Sequence, residues 1–407
     1  MVCGHWFFSY FPILSRMYSL VAIFFLIPIF FSHSFARMGW IIDNGIWHFE
    51  SVKMSLFIVL IIVALFEMSF THRDKLSHLL QQKHIQWWLL LMSFWLFWAI
   101  FYYPHENIRD ILLWVGEKQH GILLPIWLIL LSWLIPLLSH KERTYSMYAI
   151  LISGCIVSGS ALIEAIGYNI FTWTLYLSQW SWWSIRSAST LGNPNYVAGF
   201  LLILLPLVMT MKSKWKYIVF LLFLSWLATT QSVIGISLAL WYILFLMIDH
   251  RSLKHRYTIF MILVFVLCIT IYLAYADTDK WLSFTSRFIL MKETIHMIMT
   301  SVGWLFFGYG PNAIIDFFSV FRPDEIRGYF PDRMIIDSSH NVFIDILAQY
   351  GLIIAVSLLY FLIRRYISLS YIARSSLILW VGFLSLNVFV VAHMILLVFV
   401  LSLEKKE

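Results

Sequence analysis

Apolar residues in this chain come in long runs, not in alternation or on one face. They begin at residue 17 and return until residue 403, and no polar interval of domain size separates them. A bilayer core is crossed by roughly 20 apolar residues in a helix. That ruler predicts spans at 17–36, 54–70, 87–103, 121–139, 145–167, 194–211, 216–231, 232–249, 257–276 and 342–363, then an apolar stretch, 376–403, too long for one ordinary span. Crossing twice as a short hairpin near Asn387 to His393, this stretch brings the total to about 12, with 11 as the alternative. The expected fold class is all-α: a polytopic transmembrane helical bundle, with residues 1–407 forming a single integral membrane domain.

Composition agrees with the pattern. With 61% hydrophobic and only 12% charged residues, the chain lies far from the balance of a soluble globular protein. Cys3, Cys155 and Cys268 are isolated, the last two inside apolar runs where a thiol packs as a small hydrophobe, so neither a disulfide nor a metal site is expected. Arg16 precedes the first run, but Arg37 and Met38 follow it with no small-residue cleavage site, so that run reads as a retained helix and not a removed leader.

The net charge of +7 reports orientation, since no compact Lys/Arg cluster suggests a nucleic-acid partner. Fifteen basic residues fall in one alternating set of segments: Arg16; Arg73, Lys75, Lys83; Lys141, Arg143; Lys212, Lys214, Lys216; Arg251, Lys254, Arg256; and Arg364, Arg365, Arg374. The short segments of the other set hold five: Arg37, Lys53, Arg109, Lys118 and Arg186. Cytoplasmic loops retain positive charge, so the first set faces the cytoplasm together with the N-terminus, and the expected location is the cell membrane. Residues 277–341 then form one long outward loop with six basic and eight acidic residues, its length exempting it from the charge rule.

The polar punctuation carries the candidate chemistry. Asn193-Pro194 has the form of a helix start, Asn as N-cap and Pro in the first turn where its missing donor costs nothing. The tryptophans ahead of it (Trp173, Trp180, Trp182, Trp183) suit an interfacial belt or a sugar-stacking platform. Arg186 stands just before that helix, whose positive dipole end would share its surroundings. An anion fits there, and so does an arginine snorkelling to lipid phosphate. In the long loop, Phe284, Phe288, Met291, Ile295 and Met299 recur at helical spacing, with Arg287, Lys292, Glu293 and His296 as polar interruptions. An amphipathic helix lying at the outer interface is predicted. Gly308-Tyr309-Gly310-Pro311-Asn312 makes a turn, and Asp337-Ser338-Ser339-His340-Asn341 leads into the next span, where His340 reads as a polar cap or as a functional imidazole. Asp277-Thr278-Asp279 is the one DxD and follows a span end, where acidic residues are common. Glu164 and His393 lie in apolar runs, costly places for ionisable groups, though each is near a helix end.

Taken in order, RSASTLGNPNYVAGF (186–200), SRFILMKETI (286–295), FFGYGPN (306–312) and SSHNVFIDILAQYGL (338–352) resemble the O-antigen ligase and polymerase family of polytopic bacterial glycosyltransferases, over residues 186–352. Two departures stand out: Gln231-Ser232-Val233-Ile234-Gly235 lacks the arginine the family often has there, and Gln349 occupies a position where an acidic residue is common.

The resemblance implies transfer or polymerisation of a glycan from a polyprenyl-diphosphate donor to a glycan or glycolipid acceptor on the outer face of the cytoplasmic membrane, in cell-surface polysaccharide biosynthesis. Arg186 and Arg287 would bind the diphosphate through bidentate guanidinium contacts, and His340 would orient the acceptor hydroxyl or take its proton. Asn193, Asn195, Gly310 and Asn341 would shape the substrate site. The arginines fill the role of a divalent cation, so no metal and no cofactor is expected. The alternatives are a multi-pass transporter or flippase for a lipid-linked glycan, which should show a midplane polar site, broken helices or repeat halves, and a non-catalytic scaffold. Nothing in the residues separates polymerase from ligase.

Overall fold

A computed structural model describes residues 18–29, 49–71, 123–165, 168–169, 174–175, 193–249, 278–310, 313–322, 324–327, 338–387 and 390–403, with residues 74, 81, 86, 90, 93, 191 and 336 singly. The spans expected at 87–103 and 257–276 lie outside the described residues apart from Leu90 and Ser93.

Helices α1 (Tyr18–Ile29), α2 (Phe49–Thr71), α3 (Leu123–Leu134, continued by a 3₁₀ turn, Ile135–Leu137) and α4 (His140–Ala165) come first. A two-residue antiparallel ladder follows, Tyr168 opposite Leu175 and Asn169 opposite Thr174. Then come α5 (Pro194–Val208), α6 (Trp215–Thr229), α7 (Val233–Asp249), α8 (Thr278–Met299), α9 (Val302–Phe307), α10 (Ala313–Val320), α11 (Asp324–Arg327), α12 (Val342–Ser368), α13 (Tyr371–Leu384) and α14 (Val391–Leu401). The described protein is thus helical. Among the described residues two helices are long and apolar enough to cross a membrane, His140–Ile163 within α4 and Val342–Ser368.

The main core forms around α5, in which every residue from Val197 to Val208 is buried. A helix apolar on all sides is either enclosed by protein or faces lipid, and here α4, α6, α7, α13 and α14 enclose it. The outermost helices instead carry apolar residues with no protein over them: Trp215 is 65% exposed and Leu221 62% on α6, and Leu359 is 54% and Tyr360 65% on α12.

The long stretch at 376–403 is two helices. Leu384 ends α13, Val391 begins α14, and the Ser370 amide donates to the Leu403 carbonyl at 3.0 Å, which closes the far end of an antiparallel pair. The near end is the turn through Ser385, Leu386 and Asn387, which Arg287 and Asn341 contact.

The described residues between 278 and 341 are more structured than a loop. Leu290, Met297 and Ile298 of α8 pack with Ile314 and Phe318 of α10, Ile326 of α11 and Ala348 of α12 in a small second core. The spacing rule located α8 but not the face it buries. Ser286, Leu290, Glu293, Thr294 and Met297 turn inward, whereas Phe288, Ile295 and Met299 of the predicted apolar stripe are 48%, 46% and 66% exposed. Packing on α12 claims the more mixed face; of the predicted stripe Met291 is buried with it, and Phe288, Ile295 and Met299 are left outside.

Candidate functional site

Several sequence-distant residues meet at one end of the bundle, around the α13–α14 turn. The first is Arg287 on α8. Its Nη1 donates to the Leu386 carbonyl at 2.6 Å and to Asn387 Oδ1 at 3.1 Å. Carbonyls at a helix C-terminus have no partner further along the helix and lie at the negative end of its dipole, so a guanidinium is favoured there. Arg143 and Arg374 also donate to carbonyls at helix ends, but only five to eight residues away in sequence. Arg287 reaches across about a hundred residues to do so.

Asn341 meets the same turn. Its Oδ1 accepts from the amides of Phe343 and Ile344 at 3.0 and 3.1 Å, which makes it, and not His340, the N-cap of α12. Its Nδ2 donates to the Ser385 carbonyl at 2.9 Å. One amide side chain therefore starts a helix and ties that start to the segment that holds Arg287.

His340 stands between two fixed neighbours. Buried Ser339 donates to Asp345 Oδ1 through both its backbone amide, at 2.8 Å, and its hydroxyl, at 2.6 Å. Between Ser339 and the capping Asn341, the backbone of His340 adopts a left-handed conformation, φ 60°. For an L residue that geometry carries a steric penalty, which the contacts on either side sustain. Among the described residues Gln231 is the other non-glycine in this region.

The α5 start meets the first turn of α14. Asn193 accepts from the Asn195 amide at 2.9 Å and caps the helix with Pro194 in its first turn, as the sequence predicts. Fully buried His393, in the first turn of α14, contacts the Tyr196 carbonyl through Nε2 at 2.8 Å, and its Nδ1 has no partner among the described residues. A Cβ at Gly199 would sit 2.9 Å from the His393 ring, so the close α5–α14 approach depends on that glycine.

The described members of the predicted set thus divide. Arg287 and Asn341 share one turn, His340 adjoins Asn341, and Asn193 and Asn195 lie at the α5 start, whose Tyr196 carbonyl meets His393 of α14. Gly310 lies apart: with φ 97° it donates its amide to the Gln349 carbonyl at 3.1 Å, eight residues along α12 from Asn341 or about 12 Å of helix. Arg186 lies outside the described residues. Sequence reasoning missed Ser385, Leu386 and Asn387. Two of them act through backbone carbonyls, which no side-chain pattern reveals, and Asn387 was visible only as a polar break in an apolar run. Among the described residues no three His, Cys, Asp or Glu side chains gather as metal ligands. No family model, curated protein or solved structure matches the chain.

Proposed function

We propose that the chain is a multi-pass membrane glycosyltransferase that transfers or polymerises a glycan from a polyprenyl-diphosphate donor. On this reading its N-terminus is cytoplasmic and the bundle end bearing Arg287, His340 and Asn341 faces outward. The supporting observation is that the Arg287 and His340-Asn341 stretches, which carry much of the resemblance to O-antigen ligases and polymerases, are joined through one turn, Ser385 to Asn387.

The chemistry follows from the groups present. An acceptor hydroxyl oxygen attacks the anomeric carbon of the donor sugar, and the bond from that carbon to the diphosphate oxygen breaks. The leaving polyprenyl diphosphate departs with the electron pair. Arg287, with Arg186, stabilises the charge that develops on it, because charge-assisted guanidinium bonds strengthen as the oxygen becomes more anionic. His340 accepts the hydroxyl proton, the task of an imidazole whose ordinary pKa is near 6.5. Asn341 holds the His340 turn in place, and Asn193 and Asn195 shape the start of α5.

The test is glycan bond formation by the purified full chain in lipid nanodiscs, with a polyprenyl-diphosphate-linked oligosaccharide as donor. New glycosidic bonds, lost on Arg287→Ala or His340→Ala, are expected. Full transfer by both variants overturns the proposal, as does movement of donor across liposomes without bond formation, the outcome for a flippase.

A further inference from the structure

Asn387 is 2% exposed, and both ends of its amide are used. Nδ2 donates to the Phe383 carbonyl, one turn back on α13, at 3.2 Å, and Oδ1 accepts from Arg287 Nη1 at 3.1 Å. The opposite amide orientation would set Nδ2 against a cation donor and Oδ1 against a carbonyl, so the two contacts together fix which end faces Arg287. Nη1 carries two hydrogens, and Asn387 Oδ1 and the Leu386 carbonyl accept them.

The geometry points to Asn387 as the positioning residue for Arg287: a buried neutral amide that holds the guanidinium by Nη1 without cancelling its charge, so that a diphosphate meets it pre-oriented. This rests on the reading of Arg287 as a diphosphate ligand. Neutrality is the chemical point. A carboxylate at residue 387 would hold the guanidinium more tightly, but it would place a negative charge next to the diphosphate as well. In a partly buried site the two anions repel, and an effective dielectric near 20 makes that repulsion several-fold larger than in water. Asparagine fixes the geometry and leaves the field intact. The end of α13 further aligns the donor, because the Phe383 carbonyl that orients Asn387 lies three residues before the Leu386 carbonyl that receives Arg287.

The experiment uses the full chain in nanodiscs with inorganic pyrophosphate as the probe, read by its inhibition of donor turnover, together with KM and kcat for the lipid-linked donor and the melting temperature. Asn387→Asp, which loses the donor to the Phe383 carbonyl, is expected to lower the melting temperature modestly and to weaken pyrophosphate inhibition by about tenfold or more, with KM for the donor rising. Asn387→Ala is expected to lower kcat more than it raises KM, since a loosened guanidinium still carries its charge. The deciding measurement is the Arg287→Ala background, where Asn387→Asp should cause no further loss, because a residue acting through Arg287 has nothing left to act on. Additive losses in that background assign Asn387 a general structural role and overturn the inference, as does an Asn387→Asp chain inhibited by pyrophosphate like wild type. If Arg287→Ala itself leaves turnover and inhibition intact, the functional reading fails first and the inference falls with it.

Discussion

Gly308 and Gly351 pass each other backbone to backbone. A Cβ on Gly308 would overlap the Gln349 carbonyl and sit 2.7 Å from the Gly351 nitrogen, while one on Gly351 would overlap the Phe306 carbonyl. Both glycines have φ near 78°, and Gly351 breaks α12 between Tyr350 and the apolar half that follows. The break frees carbonyls from their helical partners, and the amides of Tyr309 and Gly310 take up those of Ala348 and Gln349 at 2.8 and 3.1 Å. The Gly-Tyr-Gly turn thus seals a helix break and anchors α8 to α11 on α12.

Gly308→Ala or Gly351→Ala should therefore disturb this whole segment. Positive φ with an extended ψ, 167° at Gly308 and 174° at Gly351, is a conformation open essentially to glycine alone; it costs an L residue about 1–3 kcal/mol, and the overlap adds to it. Limited proteolysis should show cleavage between residues 300 and 340 in either variant while the helices of the main core stay protected. Equal protection of variant and wild type contradicts the sealing role.

Stability and activity should move in opposite directions at His340. Glycine adopts φ 60° without penalty, so His340→Gly relieves strain and should raise stability by about 0.5–1 kcal/mol, the N-cap Asn341 being untouched. The same variant should lose glycan transfer. Thermal unfolding in detergent and a transfer assay read the two effects; a chain that is more stable and fully active would remove His340 from the chemistry.

Much of this arrangement is legible in the order of residues alone. Apolar run length locates helices within a few residues: 194–211 corresponds to Pro194–Val208, and 232–249 to Val233–Asp249. Asn193-Pro194 acts as written, because a cap and a first-turn proline are local matters. The excess length of 376–403 announces two helices. What stays hidden depends on tertiary contact. Helical spacing finds the apolar stripe of α8, but only the surface of α12 decides that Leu290 and Thr294 turn inward and Phe288 does not. Gly351 looks like a tolerated helical glycine until Gly308, more than forty residues earlier, is seen against it. The Arg287 to Asn387 contact has no signature in spacing, since one partner is a lone amide in an apolar run and the other acceptor is a carbonyl.

Asp345 supplies the tie that holds His340 in its unusual conformation. It is 6% exposed and accepts twice from Ser339. Hydrogen bonds to a charged acceptor contribute about 1.5–3 kcal/mol, and leaving a buried donor without one costs a similar amount. Asp345→Ala is expected to destabilise the turn by roughly that amount and to reduce transfer, whereas Ser339→Ala should lose only the hydroxyl share, about 1 kcal/mol. Chemical denaturation followed at a tryptophan near the turn, Trp380, measures the difference; equal effects of the two substitutions would assign Asp345 no special part.

Arg287→Lys separates a helix cap from a diphosphate ligand. A cap needs only a cation near the α13 carbonyls, which an ammonium provides, so a purely structural Arg287 predicts near-normal turnover with a slightly lower melting temperature. A ligand needs the planar fork, and the contacts of Nη1 with Leu386 and Asn387 orient its plane. Lysine cannot serve both tasks from one ammonium. We expect Arg287→Ala to lower kcat by about 10²–10³-fold, the usual cost of removing a donor to developing negative charge, and Arg287→Lys to recover little of it. KM should change less than kcat, because the contact strengthens as the leaving group gains charge. Initial rates across donor concentration give the split, and a lysine variant within about threefold of wild-type kcat would return Arg287 to the role of a cap.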